Sequence, residues 1–324
     1  MRFFSILFLF CISIPVFSQE YNSKFELKTA SYSYKDYKAA PQIRSITQDK
    51  YGVMYFANQF GVTMFNGENW SLIDLMASQV RSLACDKNGV VYVGGIDFGF
   101  LETQSNGLIE FKSFKSLVPE NLNFGLIEEI DVIENDLVFF KSNDFIFIYN
   151  GDFISVIEKE NNFEFHSTYT VNGEYYVFIK NYGLKKYQNG KLVDYYKNEI
   201  LNNSLVHGFF KFLDNDIIVS EKNGVFEKVD EELTSIFKSN LSDQYNSINI
   251  NNAYLSIGSE GEGVFLLNKN YEVEYNLNSK NGLLDGVIIC QFLDHEGNLW
   301  LGTNSGINKV LINSPVSIYS LTKN

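Results

Sequence analysis

The sequence predicts an all-β protein: seven copies of a four-stranded antiparallel unit closed into a ring, a seven-bladed β-propeller. Three observations predict it. The first is a turn, strand and turn near the C-terminus: Asp294-His295-Glu296-Gly297, then Leu299-Trp300-Leu301, then Gly306. Asp bonds its own backbone, Gly accepts positive φ, and the short apolar run favours strand. The second is recurrence. Aligned on Trp300, weaker copies place Tyr55, Tyr92, Val138, Val177, Ile218 and Ser256 at the same position, with spacings of 37, 46, 39, 41, 38 and 44 residues. A four-stranded blade takes ~40–45 residues. The third is composition, 16% aromatic and 45% apolar with four prolines, which favours strands and supplies a sizeable core.

Residues 1–18 read as a secretory signal: Arg2 gives a basic start, an apolar run follows, Pro15 ends it, and Val16-Phe17-Ser18 precede a cleavage point before Gln19. The apolar run is short for the ~20 residues of a bilayer span. Export to the periplasm is therefore expected, with no membrane span in the mature chain. Residues 19–40 read as a polar, tyrosine-rich lead-in and 41–324 as the propeller.

In the first copy the strands are expected at 43–48, 53–57, 63–65 and 70–75, separated by Asp49-Lys50-Tyr51-Gly52, by Gly61 and by Asn66-Gly67. The first turn recurs at 86–89, 134–136, Asn172-Gly173, 214–216, Asn251-Asn252 and 294–297. The second-turn glycine recurs as Gly99, Gly183, Gly224, Gly263 and Gly306, with Asp144 in the third copy. Asn-Gly pairs between apolar runs are a strong hairpin signal. One such meander cannot cover both of its faces, so the units pack radially and leave only short edges. Residues 316–321 are expected to form the outer strand of the seventh unit.

Cys85 and Cys290 lie in apolar strands of different copies and read as buried free thiols. A net charge of −13 makes nucleic acid and anionic lipid poor partners. His166, His207 and His295 lack metal-ligand spacing. Asp49, Asp86 and Asp294 recur at one turn, which marks them as structural. No catalytic set, metal site or cofactor motif assembles, and the chain reads as non-enzymatic.

Two segments carry a resemblance. Gln48-Asp49-x-x-Gly52-Val53-Met54-Tyr55-Phe56 and Asp294-x-x-Gly297-Asn298-Leu299-Trp300-Leu301-Gly302-Thr303-x-x-Gly306 resemble the two-component regulator propeller repeat. The lead-in from Tyr37 to Asp49, followed by Phe65-Asn66-Gly67-x-x-Trp70, resembles the start of sensor proteins from Bacteroidetes. The resemblance implies a periplasmic input domain that recognises a glycan fragment or another small nutrient-derived molecule and passes a conformational signal onward. In that family a second propeller, a triple-tyrosine domain, a membrane span and a histidine kinase or helix-turn-helix output follow. No motif of theirs occurs in these 324 residues, so the expected partner is a separate signalling protein or C-terminal domains missing from this chain. Two other readings are a protein-interaction scaffold and a lactonase- or lyase-like propeller enzyme.

In such a ring the first strand of each unit lines the channel. Loops between second and third strands, and between units, open on one face. Gln42 and Arg44 in copy one match Gln79 and Arg81 in copy two. Glu164 and His166 fall at the corresponding places in copy four, and His207 in copy five. Asn58 and Asn304 belong to loops on the same face. The candidate ligand contacts are thus Gln42, Arg44, Asn58, Gln79, Arg81, His166, His207 and Asn304. Two guanidiniums with imidazoles suit an acidic saccharide or another carboxylate, held by charge-assisted hydrogen bonds. The alternative is a hydrated channel whose polar walls satisfy one another and water.

Overall fold

Each copy read from the sequence folds into a four-stranded antiparallel sheet. The computed structural model describes residues 23–75, 79–120, 122–133, 137–160, 163–202, 204–238, 244–313 and 318–321. The expected signal at 1–18 and the turn at 134–136 lie outside the described residues. Blade one comprises Ser45–Gln48, Met54–Asn58, Gly61–Phe65 and Trp70–Asp74, from the channel outward. The inner strands of blades two to seven are Ser82–Cys85, Glu129–Val132, Phe165–Val171, Val206–Phe212, Gln244–Ile250 and Ile288–Leu293. Each packs on the inner strand of the next blade, and that of blade seven packs on blade one, so the ring is closed.

The outer strand of blade seven overturns one expectation. Lys28–Ser33, from the lead-in, pairs antiparallel with Gly306–Leu311. Ile318–Leu321 does not take that place; it pairs with Ser23–Glu26 in a separate two-stranded sheet. The ring therefore begins at Lys28, not at residue 41, and is closed by the start of the chain. The physical gain is visible at Tyr32, whose ring lies 6.1 Å from Trp300 and 5.2 Å from Trp70. The lead-in thus carries an aromatic into the seam between the last and first blades.

The core is divided among the seams, because each sheet turns one apolar face to each neighbour. Tyr55, Ala57 and Val62 of blade one meet Leu83, Val91 and Val93 of blade two. Trp300 and Ile307 of blade seven meet Ile46, Met54 and Phe56 of blade one. Every seam carries such a cluster. These contacts correct the alignment in blades three to five. Val138, Val177 and Ile218 face the preceding blade, whereas Phe139, Tyr176 and Ile217 face the following blade as Trp300 does. A one-residue slip in a strand moves a side chain to the opposite face. In blade five the cause is the first turn, which sits at Leu213-Asp214, with φ of 51° and 68°, one residue before the expected 214–216. Asn172-Gly173 makes the expected two-residue hairpin, with φ of 52° and 74°.

The recurring aspartate and glycine have distinct work. Asp294 Oδ1 accepts from the backbone N–H groups of Glu296 and Asn298 at 3.0 and 2.8 Å, and Oδ2 accepts from Trp300 Nε1 at 2.8 Å. Asp49 does the same for Tyr51, Val53 and the Tyr55 hydroxyl, and Asp86 for Asn88, Val90 and Tyr92. One carboxylate closes the turn and anchors the aromatic of the next strand. Gly263, at φ +80°, lies where a Cβ would sit 1.9 Å from the Leu277 carbonyl oxygen. The outer strand approaches too closely there for any side chain.

Candidate ligand site at the channel mouth

The links between blades set this site. Arg44 N donates to Ala57 O at 3.0 Å and Arg81 N to Gly94 O at 2.8 Å, so each arginine continues its inner strand by one rung. The two sit at equivalent places in blades one and two, as their sequence alignment requires. Gln42, Arg44, Gln79 and Arg81 line a single pocket of about 280 Å³, with Ala40, Pro41, Gln59 and Val80. Gln42 Nε2 donates to Asn304 Oδ1 at 2.6 Å, which ties the rim to the exposed loop of blade seven. Five of the eight expected contacts thus meet at one mouth.

Both guanidiniums are half-buried. Burial, then the neighbouring Arg81 charge, holds the Arg44 guanidinium below its ordinary pKa, while Glu128 acts in the opposite sense. The buried Arg81 Nε has no hydrogen-bond partner. The pocket is therefore a positively charged recess in a chain of net charge −13.

Asn58 is not a ligand contact. It is fully buried; its Nδ2 donates to Thr63 Oγ1 at 2.9 Å and its Oδ1 accepts from Phe60 N at 2.9 Å. Its amide is used up in holding the loop between the second and third strands, as turn amides commonly are. Its neighbour Gln59 faces the pocket instead.

His166 and His207 stand elsewhere, on adjoining inner strands of blades four and five, with ring centroids 5.8 Å apart. Neither lines the arginine pocket. Ser167 Oγ donates to Val206 O at 2.9 Å and lies 2.6 Å from His166 Nδ1, so Nδ1 carries the ring proton. Burial, then the charges of His207, Lys141 and Lys180, pulls the His166 pKa down to about 4. His207 Nε2 lies 3.7 Å from Glu221. The imidazole of His166 is a neutral wall group at ordinary pH.

Sequence reading missed the acidic wall of blade three. Glu129 accepts from Thr168 N at 2.6 Å and Thr168 Oγ1 at 2.8 Å, while Thr168 Oγ1 also lies 2.5 Å from Asp131 Oδ2. A hydroxyl has one proton, so both contacts are satisfied when Asp131 carries a proton. Burial pushes the Asp131 pKa up to about 6, and Glu129 adds to the rise. The signal for this wall was the alternation Glu129, Asp131 on an inner strand. Lys141, buried in the second strand, donates to the His166 carbonyl at 2.5 Å. Cys85 and Cys290 are free thiols, as expected, but both are half-buried and not fully buried; the burial they have pushes both up to about 12.

The family model described as two component regulator propeller matches residues 282–305. Blade seven carries that repeat. No curated protein sequence matches the chain. Among solved structures, the extracellular domain of a hybrid two component system from B. thetaiotaomicron superimposes with a TM-score of 0.70 at 17% identity, over 88% of this chain and 42% of that one. The extracellular domain of a one component system from the same organism gives 0.67 at 16%, over 91% and 40%. Virginiamycin B lyase from Staphylococcus aureus gives 0.69 at 15%, over 89% and 100%. At these identities the likeness is one of fold. The chain spans less than half the length of the two extracellular domains. Among the described residues no helix is long and apolar enough to cross a membrane.

Proposed function

We propose that this propeller is an extracytoplasmic sensing domain that binds a small molecule, a glycan fragment or another nutrient-derived compound, at the mouth between blades one and two. The observation that supports it most is the convergence of Gln42, Arg44, Gln79 and Arg81, aligned in the sequence repeat, on one pocket. The repeat matched in blade seven adds the sensor context. Binding would favour one arrangement of the propeller on its neighbour, in a signalling partner or in domains beyond this chain, and the shift in population is the signal. We read the chain as exported to the periplasm and as a binding protein without turnover. The test is a thermal-shift screen of host and plant oligosaccharides, followed by Gln42→Ala and Gln79→Ala. A ligand whose stabilisation weakens in both variants supports the mouth site; ligands unaffected by either, or an absence of ligands, rejects it. The likeness to a lyase gives the second reading its test: turnover of a lactone substrate would replace sensing with catalysis.

A further inference from the structure

We infer that the pocket between blades one and two is an anion site, built for the carboxylate of a hydroxyl-bearing small molecule such as a sugar acid; this rests on the reading of the mouth as the ligand site. The use of arginine is the first support. The sequence places nearly all its positive charge on lysine, and its only arginines are Arg2, Arg44 and Arg81. Every arginine among the described residues therefore lines this one pocket. Lysine would serve as well for general solubility. A planar fork of donors is what a carboxylate needs, since it can take two parallel N–H groups at once.

The second support is that the fork is left open. Among the described residues neither guanidinium makes an ion pair with a carboxylate, and Arg81 Nε is buried without an acceptor. Buried donors almost always find a partner in a folded protein. Here the missing acceptor and the mutual repulsion of two like charges would both be answered by one anion. The rim adds the amides of Gln42, Gln59 and Gln79, which donate and accept and so suit hydroxyls. A volume of about 280 Å³ lies just below the ~300–1,000 Å³ typical of ligand pockets, which suits a small ligand such as a monosaccharide.

The test is calorimetric titration of the full chain with D-galacturonate, D-galactose, succinate and inorganic phosphate. We expect galacturonate to bind about tenfold or more tightly than galactose, and increasing salt to weaken it. Arg44→Lys and Arg81→Lys keep the charge and remove the fork; each should cost about tenfold in galacturonate affinity with an unchanged melting temperature in the free protein. Equal binding of galactose, tighter binding of phosphate, or wild-type affinity in both lysine variants would overturn the inference, as would no binding of any acid. Succinate binding as tightly as galacturonate would overturn the sugar part. Neutral-sugar binding lost in Gln42→Ala but kept in the arginine variants would leave the mouth site standing and remove the anion.

Discussion

Single side chains decide the turns. Burial alone would raise the Asp294 pKa, but hydrogen bonds from Trp300 and Asn298, with the Lys309 charge, outweigh it and hold the carboxyl below its ordinary value. Its contribution is therefore complete above the ordinary carboxylate range and is lost as pH falls through the lowered folded value. Asp294→Ala should cost roughly 2–4 kcal/mol, because it strands several buried donors. Asp86→Ala should cost less, since Asp86 is half-exposed and its Tyr92 contact is 3.4 Å. Urea unfolding of both variants checks the order. The channel wall gives a second prediction, with two opposed signs. His166 titrates near 4 when folded against an ordinary 6.5, so its contribution is full above pH 6.5 and is lost as pH falls toward 4. Asp131 titrates near 6 against an ordinary 3.8, so its contribution is full below 3.8 and is lost as pH rises through 6. His166→Asn should flatten the acid fall of the melting temperature and Asp131→Asn should steepen it; superimposable profiles would contradict both. The aspartate turns and the two arginines were legible because their partners lie at fixed offsets in the repeat. Asn58 was not, because its role depends on Thr63 across a loop.

At the scale of the strand, steric room matters more than propensity. Gly67 has φ +97° and open space around it, whereas a Cβ at Gly263 would meet backbone on the outer strand at 1.9 Å. Gly67→Ala should cost about 1 kcal/mol, for the strained backbone alone. Gly263→Ala should cost roughly 3 kcal/mol or more, because the outer strand must move as well. Comparable losses in a paired unfolding experiment would refute this account. The same scale explains the register error in blade five. Seven meanders were legible from turn residues, but the face that Ile218 takes follows from a one-residue shift of the turn before it. Leu213 occupies a positive φ that branched residues rarely adopt, so nothing in its chemistry announced the turn.

At the scale of the whole molecule, the ring is closed by the strand Lys28–Ser33. Lys28–Ser33 looked like a lead-in because it is short and polar, and its partner, Gly306–Leu311, is far away in sequence. Local patterns do not report such pairing. Removing residues 28–33 should bare the edge of blade seven and produce oligomers in size-exclusion chromatography. Tyr32→Ala should cost about 2 kcal/mol, less than a fully buried aromatic would. The sequence has two tryptophans, and Trp70 and Trp300 both touch Tyr32 in the seam that this strand seals. The intrinsic emission of the protein is consequently a gauge of that one joint: the spectrum should change when the clasp opens, even while six other seams stay shut.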